Sequence, residues 1–379
     1  MKLAFICTES LPSPAIRGGA IQMMIDGVTP FLKEKYQITI YSVSDLDMPD
    51  YEVVDDIEYI RFPSAHYENG VASNLTIQEF EIIHVFNRPK NIPLYKAAAP
   101  NSKFVLGLHN EMFSERKISS QLGQEVILSV DKIVTISNYI KQTIIERFPE
   151  VTPKIKIVYS GVNLHEYPPI WTTRGKEIRN IYRKRFQVER KKVIFFSGRL
   201  TKNKGTHLLI KAMKSILANH PSAVLVISGG KWFSNDDANQ YVRYLYRLAK
   251  PFGNKIIFTK FIPAHEIANL FLMSDIFVCS SQWPEPLARV HYEAMAAGLP
   301  VITTNRGGNS EVILHLYNGY LLGEYNQISS YLKAINYCLK NKEICSWMAR
   351  NGRAFVEANF QFHHVARRLE TVYTELFEN

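Results

Sequence analysis

Short apolar runs that end in a small or polar residue, each followed by a longer segment of helical period, recur along this chain and limit its fold more than any other feature. In the first half they are KLAFIC (2–7), QITIYSV (37–43), IIHVF (82–86), KFVLGLH (103–109), KIVTIS (132–137) and KIKIVYS (154–160). The rhythm breaks between Tyr167 and Lys192, at Pro168-Pro169 and a basic stretch. It resumes with KVIFFSGRL (192–200), AVLVISGG (223–230), KIIFTKF (255–261), IFVCSS (276–281), PVITTN (300–305) and GYLL (319–322), and ends in a helical tail from about Ser329 to Asn379. Such alternation predicts parallel sheets wrapped by helices. With 379 residues, the chain exceeds the roughly 250–300 that one core supports, so two successive α/β domains are expected. Ligands of such sheets gather outside the carboxyl ends of the strands, which is where chemistry is sought.

Lys+Arg 45 against Asp+Glu 35 leaves a net charge of +10, which favours anionic partners without choosing among them. Arg174 to Lys192 holds much of that charge but carries no nucleic-acid-reading motif, so it is read as a solvated helix or interdomain cover, and nucleic acid is not expected as a partner. Cys7, Cys279, Cys338 and Cys345 lie far apart without the spacing of a zinc site. They predict reduced thiols and a cytoplasmic setting. No apolar run reaches the roughly 18 residues of a spanning helix, which leaves at most peripheral membrane contact.

Two places combine residues suited to chemistry. Strand VIFFSG leads into RLTKNKG, placing Gly198, Arg199, Lys204 and Gly205 at one loop mouth; an arginine fork and a mobile lysine suit a diphosphate. After IFVCSS comes QWPEPLARVHYEAMAAG, where Pro286 suits a first helical turn and Gly298 a helix end, predicting a helix from about Leu287 to Ala297. Its free N–H groups would favour phosphate, with Glu285 before it and Glu293 about two turns on. Taken singly, Glu285 is better read as a first-turn acid and Glu293 as a surface carboxylate. Asp45-Leu46-Asp47, the nearest approach to a metal-binding triplet, follows the second strand and is assigned to a solvated loop.

The ordered set RGGAIQ, LGLHNEM, TISNYI, YSGVNLHEY, SGRLTKNKG and SQWPEPLARVHYEAMAAGLPVITTNRGGNSEVI resembles the retaining glycosyltransferases of family GT4 along nearly the whole chain. That resemblance implies the GT-B fold: two Rossmann-like doubly wound parallel-sheet domains facing across a cleft. The first would span residues 1–166 on the acceptor side, joined by a C-terminal helix at about 362–379. The second, 167–361, would bind the nucleotide sugar. It implies transfer of a sugar from a nucleotide diphosphate sugar, by family habit uridine-linked, to a glycan, lipid or protein hydroxyl, with no cofactor and no metal. Arg199 and Lys204 would then hold the diphosphate. Glu293 would bind the ribose, and Glu285 with the Leu287 and Ala288 N–H groups would face the sugar. Gly18 and Gly19 would let backbone approach the phosphates, and His109 would lie beside the reacting sugar. Gly198 would join the donor-binding set, and Ser137, Asn138, Gly230 and Glu311 would line the cleft. The chain departs from the family in Leu287-Ala288, where Phe-Gly is usual, in Ser228-Gly229-Gly230 and in Asn163. Its overall wording is nearest to family members of bacterial spore coats, implying coat components as partners. The alternatives are a catalytically weak coat protein on the same fold and, behind it, a nucleotide-sugar epimerase.

Overall fold

A computed structural model describes residues 1–230, 239–259 and 262–378, without the side chains of 264 and 265. The last residues of the expected strand 255–261, Lys260 and Phe261, lie outside the described residues. The chain forms two compact units, one of Met1–Gly161 with Phe362–Asn379 and one of Val162–Gln361.

The first unit is built on an eight-stranded sheet: β1 (Lys2–Ile6), β2 (Gln37–Val43), β3 (Tyr51–Val54), β4 (Ile57–Phe62), β5 (Ile82–Phe86), β6 (Lys103–Leu108), β7 (Lys132–Thr135) and β8 (Ile155–Ile157). The strand order is β3-β4-β2-β1-β5-β6-β7-β8. All neighbours are parallel except β3 with β4. Its helices are α1 (Ala20–Leu32), α2 (Tyr67–Leu75), α3 (Ile92–Ala98), α4 (Ser120–Ser129) and α5 (Asn138–Ile145). The β3–β4 hairpin was not expected from the sequence. Its turn is Asp55-Asp56, both at positive φ, and β3 is a largely exposed edge strand, so no apolar run marked it. The signal present was a turn-forming acid pair between two short β-branched stretches.

The loop from β1 to α1 carries Gly18 and Gly19 and is held from several sides. Arg61, buried, donates to the Ser13 carbonyl (3.0 and 2.8 Å), and the Tyr67 hydroxyl donates to the Cys7 carbonyl at 2.8 Å. Arg88 grips the Glu9 carboxylate with two N–H groups (2.5 and 2.6 Å). Arg17 bonds Asp45 (2.8 Å) and also Asp47, so the triplet read as a solvated loop is a carboxylate clasp on the glycine loop. Asp26 of α1 accepts the Ala15 N–H at 2.8 Å.

Burial pushes the Asp26 carboxyl up from 3.8 to about 6. A folded-state pKa above the unfolded one stabilises the fold fully below the unfolded value and loses that contribution as pH rises through the folded value. Relative to Asp26→Asn, the natural protein should therefore lose on the order of 2–3 kcal/mol between about pH 4 and 6. Urea unfolding of both proteins across that range checks this, and a pH-independent difference would contradict it.

The second unit opens with α6 (Thr173–Arg185) and has a six-stranded parallel sheet of β9 (Lys192–Ser197), β10 (Ala223–Ser228), β11 (Ile256–Phe258), β12 (Ile276–Cys279), β13 (Val301–Thr304) and β14 (Gly319–Leu322). Its order is β11-β10-β9-β12-β13-β14. The helices are α7 (Thr206–Asn219), α8 (Gln240–Ala249), α9 (Ala264–Met273), α10 (Val290–Ala296), α11 (Ile328–Lys340) and α12 (Lys342–Asn359). The core lies between the sheet and α7, α8 and α11, with Ile194, Leu209, Met213, Leu225, Val278 and Tyr331 buried in it. The basic α6 is more than a solvated face. Arg179 donates to the Leu272 carbonyl (2.9 Å) and to Asp275, while the buried Arg183 donates to the Met273 carbonyl at 3.1 Å. Cations thus satisfy the open carbonyl end of α9.

A last helix, α13 (Phe362–Thr374), belongs to the first unit. Val365, Leu369, Val372 and Tyr373 are buried in that unit's core, and the Tyr373 hydroxyl lies 2.8 Å from His84 Nδ1. A Cβ at Gly27 would sit 2.4 Å from the Phe362 ring, so α1 meets α13 at a bare backbone position. Among the described residues no helix is long and apolar enough to cross a membrane.

Candidate active site

The carboxyl ends of β9, β12 and β13 in the second unit bring together several of the residues singled out above. The turn after β9 is tied to the segment after β12 by main-chain contacts. The Gln282 N–H donates to the Asn203 carbonyl (2.7 Å), and the Ser280 hydroxyl to the Lys204 carbonyl (2.8 Å). Gly205, at φ +71°, closes the turn, and a Cβ there would lie 2.0 Å from the Ser280 carbonyl oxygen. Only glycine fits so near an approach in that conformation.

This packing carries Lys204 to Glu285. The two side chains form an ion pair, and the Ser281 hydroxyl donates to the same carboxylate oxygen. Glu285 is only 3% exposed. Burial by itself would raise its pKa, but the Lys204 charge and the hydrogen bonds from Lys204 and Ser281 outweigh it and hold the carboxyl below its ordinary range. The Glu285 main chain is fixed from the other side, where its carbonyl accepts the Gly308 N–H at 2.7 Å. At Gly307, φ +58°, a Cβ would lie 2.1 Å from that same oxygen. Gly307-Gly308 therefore seats the backbone of the acid.

The expected helix is corrected at its start. It ends as expected, with Gly298 at φ +78° beyond the last turn, but it begins at Val290 rather than Leu287 and has seven residues. Glu285 instead forms a bridge with Gly307, which draws the chain out of helical conformation until Arg289. Glu285 and Glu293 are thus not two turns apart on one helix face. Leu287 and Ala288 lie in the intervening loop with buried side chains. Their N–H groups carry no backbone hydrogen bond among the described residues. Glu293 is buried in α10, with Arg289 at 3.6 Å. Burial raises its pKa, opposed by the charge of Arg289.

The other residues singled out in the second unit lie in the turns around this pair. The Leu200 N–H donates to the Gly230 carbonyl (2.8 Å) and the Thr201 N–H to the Arg199 carbonyl (2.9 Å), which shapes the turn bearing Arg199. Gly198 lies against Gly229, where a Cβ would be 2.0 Å from the Gly198 oxygen. Glu311 ends the short helical turn that starts at Gly308. His291 was missed by the sequence reading. It is fully buried, its Nε2 2.8 Å from the Thr303 hydroxyl, and burial pushes its pKa down to about 4, so the ring is neutral near pH 7. Ser281 was also missed, although a hydroxyl four residues before Glu285 was a visible signal.

In the first unit, Gly18 (φ +80°) and Gly19 (φ +109°) lead into α1. A Cβ on Gly19 would lie 2.4 Å from the Gln22 side chain. His109 follows β6, its N–H donating to Asn87 Oδ1 at 2.7 Å and its ring edge-on to Phe86. Ser137 is committed to capping α5, its Oγ accepting the Ile140 N–H at 3.2 Å, and Asn138 opens that helix. Among the described residues no group of three or more His, Cys, Asp or Glu is gathered as a metal centre would require. A buried carboxylate kept ionised beside a lysine, next to a loop whose N–H groups carry no backbone hydrogen bond among the described residues, is equipped to receive a ligand carrying both hydroxyls and negative charge.

Comparison with known proteins places the chain among relatives. The family described as "Glycosyl transferases group 1" matches residues 177–355, and "Glycosyltransferase Family 4" matches residues 28–166. The chain is 58% identical to a protein of Bacillus subtilis (strain 168) named "Putative glycosyltransferase YtcC", over 98% of its own length and 92% of that protein's. It is 44% identical to "Spore coat protein SA" of the same organism, over 98% and 99%. Among solved structures it resembles Anabaena Alr3699/HepE, crystallised with UDP, with a TM-score of 0.78 and 22% identity over 99% and 100% of the two chains.

Proposed function

Because the chain belongs to the glycosyltransferases of group 1 and family 4, enzymes that draw on a nucleotide-sugar donor, we propose that it is a retaining, metal-independent transferase moving a hexose from a uridine diphosphate sugar to an acceptor hydroxyl. The observation that carries this reading is the Lys204–Glu285 pair beside the loop of Leu287 and Ala288, whose N–H groups carry no backbone hydrogen bond among the described residues. Arg199 and Lys204 take the diphosphate and stabilise the charge that grows on it as the glycosidic bond breaks. Glu285 with those two N–H groups receives the sugar, and Glu293 the ribose. The departing phosphate oxygen accepts the acceptor's proton on the face it leaves, so the anomeric configuration is kept. Gly18, Gly19, His109, Ser137, Asn138, Gly198, Gly230 and Glu311 complete the proposed set. The uridine preference is supported by the UDP bound to HepE.

The 44% identity with a protein named for the spore coat supports a place in spore coat or surface glycan formation, beginning in the cytoplasm with coat components as partners. It also favours a second reading, a coat protein that binds nucleotide sugars and turns them over weakly, to which the bulkier Leu287-Ala288 contributes. One experiment separates the two. The purified protein is incubated with UDP-hexoses and candidate acceptors, with and without a chelator, and the product is followed by proton NMR. An α-linked product from an α-donor at the same rate in chelator is expected. Inverted configuration, or activity lost to chelator and restored by manganese, would overturn the mechanism; saturable binding without product would establish the second reading.

A further inference from the structure

At the amino-terminal end of the second unit's sheet, away from the strand ends that bear Lys204 and Glu285, lies a cavity of about 410 Å³ whose walls include Trp171, Lys191, Cys338, Lys342, Cys345 and Ser346. Two of the chain's four cysteines thus face one space. Cys338 is in the last turn of α11 and Cys345 in the first turns of α12, with Asn341 alone between the two helices. The elbow folds the second cysteine back on the first, and the Cys345 Sγ donates to the Cys338 carbonyl at 3.4 Å. Both are buried, at 4% and 6% exposed, but Lys342 and Ser346 on the cavity wall are exposed, so small solutes reach the space.

We propose that Cys338 and Cys345 form a thiol pair that peroxides convert to a disulfide, a modification site separate from the donor site. The two sulfurs are not equivalent. A hydrogen bond from the Cys338 thiol lowers the Cys345 pKa against the opposing effect of burial, and the same contact, with burial, raises that of Cys338. The amino end of α12 and Lys342, three residues before Cys345, add positive potential at that sulfur. Cys7 and Cys279 are pushed up by burial, so Cys345 is the only one of the four thiols shifted toward the reactive form.

The chemistry balances with peroxide as oxidant. The Cys345 thiolate attacks one peroxide oxygen; an S–O bond forms, the O–O bond breaks, and hydroxide leaves as water with the proton that Cys345 had released. The Cys338 sulfur then attacks the Cys345 sulfenic sulfur, forming S–S and expelling the hydroxyl as a second water with the Cys338 proton. Two thiols and one hydrogen peroxide give one disulfide and two waters.

The test uses the full-length folded protein, exposed to excess hydrogen peroxide, quenched by alkylation and mapped by mass spectrometry. A 338–345 crosslink lighter by two hydrogens and reversed by dithiothreitol is expected, with Cys7 and Cys279 still alkylated. In Cys338→Ser, dimedone should trap a sulfenic acid on Cys345; in Cys345→Ser, Cys338 should stay unlabelled. Wild-type protein that keeps both thiols, or oxidises first at Cys7 or Cys279, or labelling of Cys338 in Cys345→Ser equal to that of Cys345 in Cys338→Ser, would overturn the proposal. None of these readouts depends on glycosyl transfer.

Discussion

Lys204→Ala is expected to cut turnover by a factor on the order of 10² or more, the usual cost of removing one group that stabilises developing charge. The same change leaves the Glu285 carboxylate, 3% exposed, without its cation, and breaking a buried pair costs about 3–5 kcal/mol. The two effects separate in the double variant Lys204→Ala/Glu285→Gln, which removes the stranded charge. It should recover most of the stability and none of the turnover. Near-normal steady-state rates in either variant would remove Lys204 from the reaction. The pair also carries a pH signature. Because the Glu285 pKa is depressed in the fold, its stabilisation is complete above the ordinary 4.5 and is lost as pH falls through the lower folded value. Lys204→Ala lacks that contribution, so its stability deficit against the natural protein should shrink as acid protonates Glu285, and a deficit that stays constant with pH would contradict the pairing.

Gly307→Ala is expected to be severely damaging for a single added methyl group. At φ +58° with ψ −132° the backbone occupies a region that is essentially glycine's own, and the new carbon would lie 2.1 Å from the Glu285 oxygen and 2.7 Å from its nitrogen. Strain and overpacking each cost about 1–3 kcal/mol. Relief by movement of Glu285 would misplace the acid against Lys204, for a further loss on the order of 10² in turnover. Gly323→Ala is the control, since a Cβ there meets nothing within 4 Å. Equal thermal stability and equal rates in the two variants would show that Glu285's seat tolerates displacement.

How far the sequence could be read follows from the range of the interactions concerned. Strands such as VIFFS and VLVIS are buried on both faces, so each announces itself as an unbroken apolar run, and the two α/β units were visible in that rhythm. Lys204-Gly205 and Glu285 stood out as a cation and an acid at strand ends. Their pairing spans 81 residues and depends on how the loops after β9 and β12 interlock, which no local pattern encodes. The late start of α10 has a similar origin. Pro286 and the acids around it signal a helix, but the bridge between Glu285 and Gly307 competes for the same backbone and wins over three residues. Arg17 with Asp45 and Asp47, and Arg179 with Asp275, were likewise illegible, because a charged residue shows its sign in a sequence but not its partner.

The return of α13 sets an order on biogenesis. Val28, Leu32, Tyr36 and His84 of the first unit complete their packing against Val365, Leu369 and Tyr373, which leave the ribosome only after the whole of the second unit. Until then that apolar groove is uncovered, and Gly27 has no Phe362 ring to receive. The nascent first unit must therefore be kept from aggregating while its neighbour is synthesised, and its cooperative folding waits for a helix that is made only after that neighbour.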